Sequence, residues 1–409
     1  MTLTIDRLSL HAEGVARTPE GTVHVPGVLP GEVIEGAIAD GRVEVPKIVT
    51  PSPDRVKAPC AHYRACGGCV LQHGSDDFVA RWKAQVVETA LKGQGLSAPV
   101  GATMTSPARS RRRATFAGRR TKAGTLIGFH ARASDTVVEI PHCQLVDPAL
   151  LAVVPALRAV VLAGGSRKGG LDLTATLTEG GIDLAVTGGK PMEPALFQSL
   201  SAIAESADLA RLTWNGEPVA ARRPTAQAFG AALVEPPAGG FLQATKPGEA
   251  ALVAAVTGIV GPAARVLDLF SGSGTFTLPL AAGAEVHAVE SDAAALAALD
   301  RGWRRATGLK RVTTETRDLF RRPLLPDEID RFDAVVLDPP RAGAEAQVAE
   351  IAASRVPVLA YVSCSPVTFA RDAARLVAAG FALEHVDVID QFRWSAHVEL
   401  VARFRNTRR

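Results

Sequence analysis

Short apolar runs alternate with helical patterns in the C-terminal part of the chain, from about residue 247 onward. A helix-like stretch over 247–259 comes first, and five apolar runs follow it at 265–270, 285–290, 312–318, 332–338 and 356–364. Strands that alternate with helices form βαβ units, so this pattern predicts a parallel sheet covered by helices. Two final runs, 381–390 and 397–405, lie close enough along the chain to form an antiparallel pair at the sheet edge.

The N-terminal part of the chain has a different pattern. Alternating runs at 3–10, 23–25, 32–35 and 42–45 are separated by Gly and Pro turns. This is typical of a five-stranded barrel that binds oligonucleotides, although an unspecialised β-barrel fits equally well. Further on, helical patterns at 77–92 and 148–162 mix with strand-like pieces at 171–177 and 182–186. The sequence therefore predicts an OB-like β-barrel over 1–55, a central α+β region over 56–240 and an α/β domain over 241–409.

Composition narrows the class of protein. A chain of 409 residues with 47% hydrophobic residues predicts two or three domains rather than one core. No uninterrupted apolar run of about 18 residues occurs, and the N-terminal residues lack the pattern of a secretion signal. We therefore expect a cytoplasmic protein with reduced thiols and no membrane span.

Basic side chains are clustered, although the net charge is only +3. Such clusters neutralise phosphates and steer nucleic acids toward a protein, and the alternative is a solubilising surface. The two clusters consist of Arg109, Arg111, Arg112, Arg113, Arg119, Arg120 and Lys122, and of Arg403, Arg405, Arg408 and Arg409.

A loop with two glycines, Asp268-Leu-Phe-Ser-Gly-Ser-Gly-Thr-Phe276, follows the first strand of the predicted parallel sheet. Gly272 and Gly274 permit a tight turn and let a ligand approach the backbone closely. Thr277 stands where dinucleotide-binding loops have a third glycine. A cofactor without a pyrophosphate does not need that glycine, so the loop favours S-adenosylmethionine over NAD.

Acidic residues end the strands that follow this loop. Glu290 ends the second strand and can accept hydrogen bonds from both hydroxyls of a ribose. Asp318 ends the third strand, where it can accept the exocyclic amine of an adenine, and Asp338 ends the fourth. Because open α/β sheets bind ligands at the carboxyl ends of their strands, these groups predict a cofactor site there.

The five cysteines fall into two groups. Cys364 stands alone in Ser363-Cys-Ser-Pro366, at the end of the fifth strand, so we expect its thiol beside the cofactor cleft. The other four are in the first part of the chain, and their spacing fits either a structural zinc ion or an iron–sulfur cluster. These four are Cys60, Cys66, Cys69 and Cys143.

Several segments resemble the RNA 5-methyluridine methyltransferases, and the resemblance covers nearly the whole chain. It implies a C-terminal Rossmann-like class I S-adenosylmethionine-dependent methyltransferase domain, an N-terminal TRAM-like domain and methylation of carbon 5 of a uridine in RNA. The segments are Asp268-Leu-Phe-Ser-Gly-Ser-Gly, Leu337-Asp-Pro-Pro-Arg-Ala-Gly343, Ser363-Cys-Ser-Pro-Val-Thr-Phe-Ala-Arg-Asp372, His397-Val-Glu399, Gly14-Val-Ala, Leu29-Pro-Gly-Glu32 and Ser110-Arg-Arg-Arg-Ala114.

The resemblance assigns a role to each candidate residue. Cys364 is the nucleophile that adds to carbon 6 of uracil, and Glu399 is the base that removes the proton from carbon 5. Asp338 lies at the junction of substrate and cofactor, and the cofactor pocket contains Gln243, Phe270, Thr275, Glu290 and Asp318. Family members that act on 23S rRNA carry a [4Fe-4S] cluster on this cysteine pattern. The resemblance therefore implies such a cluster, with a structural role, and 23S rRNA as substrate; we also expect a monomer.

Two departures from the family pattern stand out. Thr245 replaces a frequent Asn, and Gln391-Phe-Arg-Trp394 replaces a lead that usually contains Phe-Pro before His397, which alters how Glu399 is presented. The alternatives are a tRNA uracil-5-methyltransferase, an RNA cytosine-5-methyltransferase, an adenine-N6 methyltransferase and a non-catalytic RNA-binding protein. Cytosine enzymes usually have a second cysteine after the fourth strand, and adenine enzymes an aromatic residue in place of Arg341. The intact thiol, base and cofactor loop argue against a non-catalytic protein.

Overall fold

A computed structural model describes residues 1–408; Arg409, a member of the C-terminal basic cluster, lies outside the described residues. The N-terminal part contains two three-stranded sheets, ordered β1-β5-β6 and β2-β3-β4, around one small apolar core that includes Ile5, Val25 and Ile34. Residues 42–45 do not form the expected strand, and only Arg42 among them pairs, in isolated bridges. Asp40 and Gly41 before them have positive φ, and Pro46 after them has no N–H to donate. The strands are β1 (Thr2–Thr4), β2 (Arg7–Leu8), β3 (Gly14–Thr18), β4 (Gly21–Val25), β5 (Val33–Glu35) and β6 (Lys47–Thr50).

An irregular segment with three of the cysteines leads into helix α1 (Asp76–Gly93). Ser75 caps the helix, because its hydroxyl accepts the Phe78 N–H, and Asp76 and Asp77 add favourable negative charge to the first turn. The buried face of α1, which includes Val79 and Trp82, packs against the C-terminal sheet region rather than against the central sheet.

The central part is a seven-stranded sheet ordered β10-β9-β8-β11-β12-β13-β14, with helices on it. All its pairs are antiparallel except β12 with β13. A separate two-stranded hairpin over 227–234 follows this sheet along the chain. The elements are β7 (Met104–Thr105), β8 (Arg113–Arg120), β9 (Thr125–His130), β10 (Val137–Glu139), α2 (Pro148–Ala152), α3 (Val154–Gly164), β11 (Gly170–Thr178), β12 (Gly181–Thr187), α4 (Pro194–Ser206), β13 (Arg211–Trp214), β14 (Glu217–Ala221), β15 (Gln227–Phe229) and β16 (Ala232–Val234).

The C-terminal part alternates strands and helices, as the sequence predicts. Fully buried apolar strands such as Ala334–Leu337 are typical of central parallel strands, which are covered on both faces. The elements are α5 (Lys246–Val260), β17 (Arg265–Leu269), α6 (Thr277–Leu280), β18 (Glu285–Glu290), α7 (Ala293–Arg305), β19 (Val312–Thr316), α8 (Pro326–Ile329), β20 (Ala334–Leu337), α9 (Glu345–Ala353), β21 (Val358–Ser363), α10 (Pro366–Ala378), β22 (Phe381–Asp390) and β23 (Glu399–Asn406).

These strands form an eight-stranded sheet ordered β19-β18-β17-β20-β21-β23-β22-β7. The five strands from β17 to β21 are parallel, and β23 runs antiparallel between β21 and β22. The predicted α/β class is confirmed, and so is the final antiparallel pair. The sheet edge differs from the prediction, because the two-residue strand β7 pairs with β22 beyond that pair. Thr245, the departure before α5, caps that helix by accepting the Gly248 N–H.

No helix within residues 1–408 is both long and apolar enough to cross a membrane.

Candidate active site

The loop after β17 has an unusual backbone conformation. Phe270, Gly272 and Gly274 all have positive φ, of 63°, 55° and 97°. A side chain on Gly272 would meet no atom within 4 Å, so its backbone faces open space, as a ligand-binding loop requires. The Gly272 N–H donates to Glu290 Oε2 at 3.1 Å, which joins this loop to the end of β18.

Glu290 is held in place by its other carboxylate oxygen. Oε1 accepts the backbone N–H groups of Ser291 and Asp292 at 2.6 and 2.9 Å. The carboxylate is therefore fixed at the carboxyl end of β18, and it stays partly exposed for a ligand.

Thr277, at the position of the third glycine in dinucleotide-binding loops, bonds to the strand before the loop. Its hydroxyl donates to Asp268 Oδ2 at 2.5 Å, and both side chains are fully buried. Burial raises the pKa of Asp268 to about 7, while the Thr277 hydrogen bonds oppose this rise. The buried Asp268 Oδ1 has no hydrogen-bond partner within the described part of the protein. Sequence reasoning did not assign Asp268 a role, although its place at the strand end was a signal.

Two phenylalanine rings lie beside Asp318. The rings of Phe270 and Phe320 are 5.5 Å apart between centroids, and Asp318 Oδ1 accepts the Phe320 N–H at 3.0 Å. Phe320 is 48% exposed, which is unusual for a large apolar side chain. An acidic group next to apolar rings suits an adenine, whose faces pack on apolar groups and whose amine donates. The sequence analysis missed Phe320, two residues after the predicted Asp318.

Adjacent strand ends bring Asp338, Cys364 and Glu399 together. Leu337 pairs with Tyr361 across β20 and β21, and Ser363 pairs with Leu400 across β21 and β23. Asp338 and Cys364 follow these strands directly, and Glu399 begins β23. Because β23 is an interior strand, Glu399 is only 4% exposed and is not a surface residue of an edge strand.

The electrostatics of this cleft favour protonated acids. Burial raises the pKa of Glu399 to about 7. The pKa of Asp338 lies well above its usual range through burial and the charges of Glu399 and Asp268. Burial also raises the pKa of the Cys364 thiol, and Glu399 and Asp338 add to the rise while Arg341 opposes it. A carboxyl with a pKa near neutrality is suited to take and release protons.

Gln391 connects Glu399, the predicted base, to the predicted cofactor residue Gln243. Its Nε2 donates to Glu399 Oε2 and, at 2.5 Å, to Gln243 Oε1. Its Oε1 accepts the Ala244 N–H at 2.7 Å. The three side chains of this network are 1–4% exposed.

The loop that carries Gln391 is anchored from both sides. The buried ammonium of Lys83 on α1 donates to Asp390 Oδ1 at 2.6 Å and to the Phe392 carbonyl at 3.1 Å. The Trp394 carbonyl accepts the N–H groups of Val70 and Leu71 at 2.8 and 3.0 Å. The segment after Cys69 is therefore bonded directly to the loop before the base.

The four N-terminal cysteines line one small, largely apolar cavity. All four are buried free thiols, 7–9% exposed. Gly67 permits the close approach of this segment to β9, because a side chain there would lie 2.8 Å from the His130 carbonyl. Backbone N–H groups of Gly68 and Leu145 donate to the sulfurs of Cys66 and Cys143 at 3.4 Å, a contact common around metal-bound thiolates.

The thiols of Cys66, Cys69 and Cys143 are costly to ionise without a compensating positive charge. Burial raises the pKa of Cys66 and Cys143 and raises that of Cys69 to about 12, and the charges of the other cysteines add to these rises. Within residues 1–408, no three His, Cys, Asp or Glu side chains are close enough to hold one metal ion. The [4Fe-4S] cluster implied for these four cysteines therefore stays a prediction.

The arginine-rich segment is divided between the interior and the surface. Arg112 is 3% exposed and donates to Glu249 Oε2 at 2.5 Å, and Arg113 donates to the Gly239 carbonyl. Arg111 lies over the Phe392 ring, 5.8 Å from its centroid. The expectation of one phosphate-binding cluster is wrong for Arg112, whose charge is paired inside the protein. The exposed members are Arg109, Arg119 and Lys122.

Comparisons with known proteins agree on one kind of enzyme. A family model described as tRNA (Uracil-5-)-methyltransferase matches residues 250–404. An uncharacterised RNA methyltransferase of Brucella suis is 45% identical over 98% of this chain and 96% of its own. The 23S rRNA (uracil(1939)-C(5))-methyltransferase RlmD of Chromohalobacter salexigens is 34% identical over 97% of this chain and 87% of its own.

A solved structure shares the whole architecture. The crystal structure of the Pyrococcus abyssi tRNA (uracil-54, C5)-methyltransferase in complex with S-adenosyl-L-homocysteine matches with a TM-score of 0.74. The match covers 99% of each chain at 23% identity. This likeness confirms the predicted fold, a class I methyltransferase.

Proposed function

The chain belongs to the RNA (uracil-5-)-methyltransferase family, and from that premise we propose that it methylates carbon 5 of a specific uridine in 23S rRNA through a covalent adduct on Cys364. The observation that carries this proposal is the meeting of Cys364, Asp338 and buried Glu399 at the ends of three adjacent strands. S-adenosylmethionine supplies an electrophilic methyl group when it is bound.

The chain's own residues supply the activation of the uracil ring. The partly exposed Cys364 thiol releases its proton to solvent and its sulfur bonds to carbon 6, while the electrons of the carbon 5–carbon 6 double bond move onto carbon 5 and oxygen 4. Carbon 5 then has the nucleophilic character that methylation requires. Once carbon 5 carries the methyl group, Glu399 removes the proton from carbon 5, the double bond reforms, and the Cys364 thiolate leaves. A pKa near 7 suits Glu399 to this step, because the carboxylate is populated at neutral pH.

The residues around the cleft suit S-adenosylmethionine. The open backbone at Gly272 and the fixed carboxylate of Glu290 fit the ribose, and Asp318 with the two phenylalanine rings fits the adenine. We assign the remaining contacts to Gln243, Gly274 and Thr275, and place Asp338 between cofactor and base.

We further propose that Cys60, Cys66, Cys69 and Cys143 hold a [4Fe-4S] cluster with a structural role. The four buried thiols around one cavity support this assignment, since methyl transfer needs no electron transfer. With 34% identity to a 23S rRNA enzyme over nearly the whole chain, 23S rRNA is favoured over tRNA as substrate. We place this activity in the cytoplasm and assign RNA contacts to the exposed arginines and to a TRAM-like domain over 1–55.

Trapping the adduct tests the mechanism. Glu399→Gln should accumulate a covalent RNA–protein complex, stable in denaturing gels, when S-adenosylmethionine and 23S rRNA are supplied. Cys364→Ala should form none and still bind S-adenosylhomocysteine. Normal turnover in the Cys364→Ala protein would refute the nucleophile, and normal turnover of Glu399→Gln without an adduct would refute the base.

Mapping the modification tests the substrate. RNA from a strain without this gene should lack 5-methyluridine at one position of 23S rRNA and keep it in tRNA. Loss of 5-methyluridine from tRNA alone would instead support the alternative tRNA substrate.

A further inference from the structure

We infer that Gln391 is a positioning residue, which orients Glu399 as a hydrogen-bond acceptor and ties the base to the cofactor-side residue Gln243. The inference deepens the proposed function and rests on it, because it assumes that Glu399 removes the carbon 5 proton. It starts from a position where this chain departs from the usual sequence before the base, namely Gln391-Phe-Arg-Trp394.

The orientation of the Gln391 amide is fixed by the backbone. Ala244 N–H can only donate, so the atom of Gln391 that faces it must be the carbonyl oxygen, at 2.7 Å. The amide nitrogen must then face Glu399 Oε2 and Gln243 Oε1, where it donates one hydrogen to each. All donor and acceptor groups of this amide are satisfied, and its side chain is 2% exposed.

This geometry decides which form of Glu399 the site holds. An N–H that points at Oε2 stabilises the carboxylate and leaves Oε1 as the oxygen free to receive a proton. Burial alone would keep Glu399 protonated near neutral pH, and the Gln391 hydrogen bond opposes that effect. Gln391 therefore increases the ionised fraction of Glu399 and fixes which of its oxygens is free in this buried site.

The groups that face Glu399 otherwise work against ionisation. Asp338 approaches it from the end of β20 and Cys364 from the end of β21, and both become negative when they ionise. Arg341 acts on Cys364, and within residues 1–408 no ion pair includes Glu399. The Gln391 amide is thus the stabilising partner of this carboxylate in the described structure.

The anchoring of Gln391 explains how the amide is held. The preceding Asp390 is paired with buried Lys83, and Trp394 is bonded to the cysteine segment through its carbonyl. Rotation of the Gln391 side chain away from Glu399 would also leave the Ala244 N–H without a partner in a buried site.

The test uses Gln391→Met, which keeps the side-chain length but removes the amide. It measures formation of the adduct and decay of the adduct separately. Under single-turnover conditions, adduct formation should stay within about threefold of the wild-type rate. Decay of the methylated adduct, followed by tritium release from RNA labelled at carbon 5 of uridine, should slow about tenfold at neutral pH. The pH at which the rate of adduct decay is half-maximal, here called the midpoint, should move upward by about one pH unit. The dissociation constant of S-adenosylhomocysteine should also rise, because Gln243 loses its partner.

Two further variants keep the inference falsifiable. Gln391→Glu preserves the size of the side chain and can still accept the Ala244 N–H, so this variant should fold. The midpoint for decay of its adduct should also be raised, because two carboxyls then compete for one proton. Gln347→Met removes another buried glutamine, which bonds to the Leu324 backbone and not to Glu399, and should leave the midpoint unchanged. A wild-type midpoint in both Gln391 variants would overturn the inference. If Glu399→Gln traps the adduct at the same time, the proposed mechanism stands and only the role of Gln391 fails.

Discussion

The protein contains two kinds of thiol site whose cysteines differ in both burial and surroundings. In the four-cysteine cavity each thiol is surrounded by other thiols and apolar groups, and backbone N–H groups point at two of the sulfurs. In the cleft, Cys364 is half-buried and faces carboxyl groups and an arginine. Burial raises the thiol pKa in both places, so the pKa alone does not separate a ligand from a nucleophile. The neighbours differ, because the four cysteines adjoin other thiols while Cys364 adjoins carboxyl groups.

The strongest test of this contrast is Cys364→Ala. We expect the rate of methyl transfer to fall by at least about 10⁴-fold, because the ring is no longer activated by covalent addition. The free energy of unfolding should change by less than about 1.5 kcal/mol, since one partly exposed sulfur is lost. Single-turnover assays and urea titration measure the two quantities. A large loss of stability would indicate that Cys364 is a packing residue.

Cys66→Ser should produce the reverse result. Purified without oxygen, it should lose brown colour and absorption near roughly 400 nm. The free energy of unfolding should fall on the order of 5 kcal/mol, because cluster binding is linked to folding. Protein that remains folded should still form the Cys364 adduct. A colourless wild-type protein that contains zinc would contradict the cluster.

Trp394→Ala tests whether the two regions are joined. The side chain packs in the apolar core that includes Cys66, Cys69 and Cys143, while its residue belongs to the loop before Glu399. We expect a loss of about 3 kcal/mol in the free energy of unfolding and slower adduct decay. Trp303→Ala on α7 is the matched control, and should leave adduct decay unchanged. If adduct decay in Trp394→Ala is as fast as in Trp303→Ala, the position of the loop does not depend on this core.

The smallest expected effect is an opposition between activity and stability as pH rises. Only ionised Glu399 accepts a proton, and its pKa is about 7, so adduct decay should speed up from about pH 6 to about pH 8. Above about pH 5 the folded protein holds protons on Glu399 and Asp268 that the unfolded chain has released, because burial raises both pKa values to about 7. The free energy of unfolding should therefore fall over about pH 5–7.5. Stability that rises over this interval would refute the buried, protonated state of these acids.

The sequence predicts the parts of this molecule that depend on local pattern. Five apolar runs, three of which end in an acidic residue, suffice to place Glu290, Asp318 and Asp338 at one edge of a parallel sheet, because parallel strands share a direction. Strand β7 is two residues long and carries no pattern, so its place at the sheet edge depends on tertiary contacts that no local rule describes. The same is true of Arg112. An arginine between two other arginines is expected at the surface, and its pairing with Glu249, far along the chain, cannot be seen in the local sequence.

The network around the base lies beyond the sequence for the same reason. Gln243, Gln391 and Glu399 come from separate segments, and a glutamine gives no signal of whether it is buried. Gln391 did stand out as a departure from a family pattern. What it does there became clear only from the direction of its amide.

One ion pair and one short strand make the methyltransferase sheet dependent on residues that precede it by more than a hundred positions. A fragment that begins at residue 241 would leave Asp390 charged and buried without Lys83, and would leave the outer side of β22 without β7. Such a fragment should be poorly soluble when expressed alone, and addition of α1 as a separate peptide should partly restore it. Transfer of this catalytic sheet to another RNA-binding protein would therefore have to include α1 and β7.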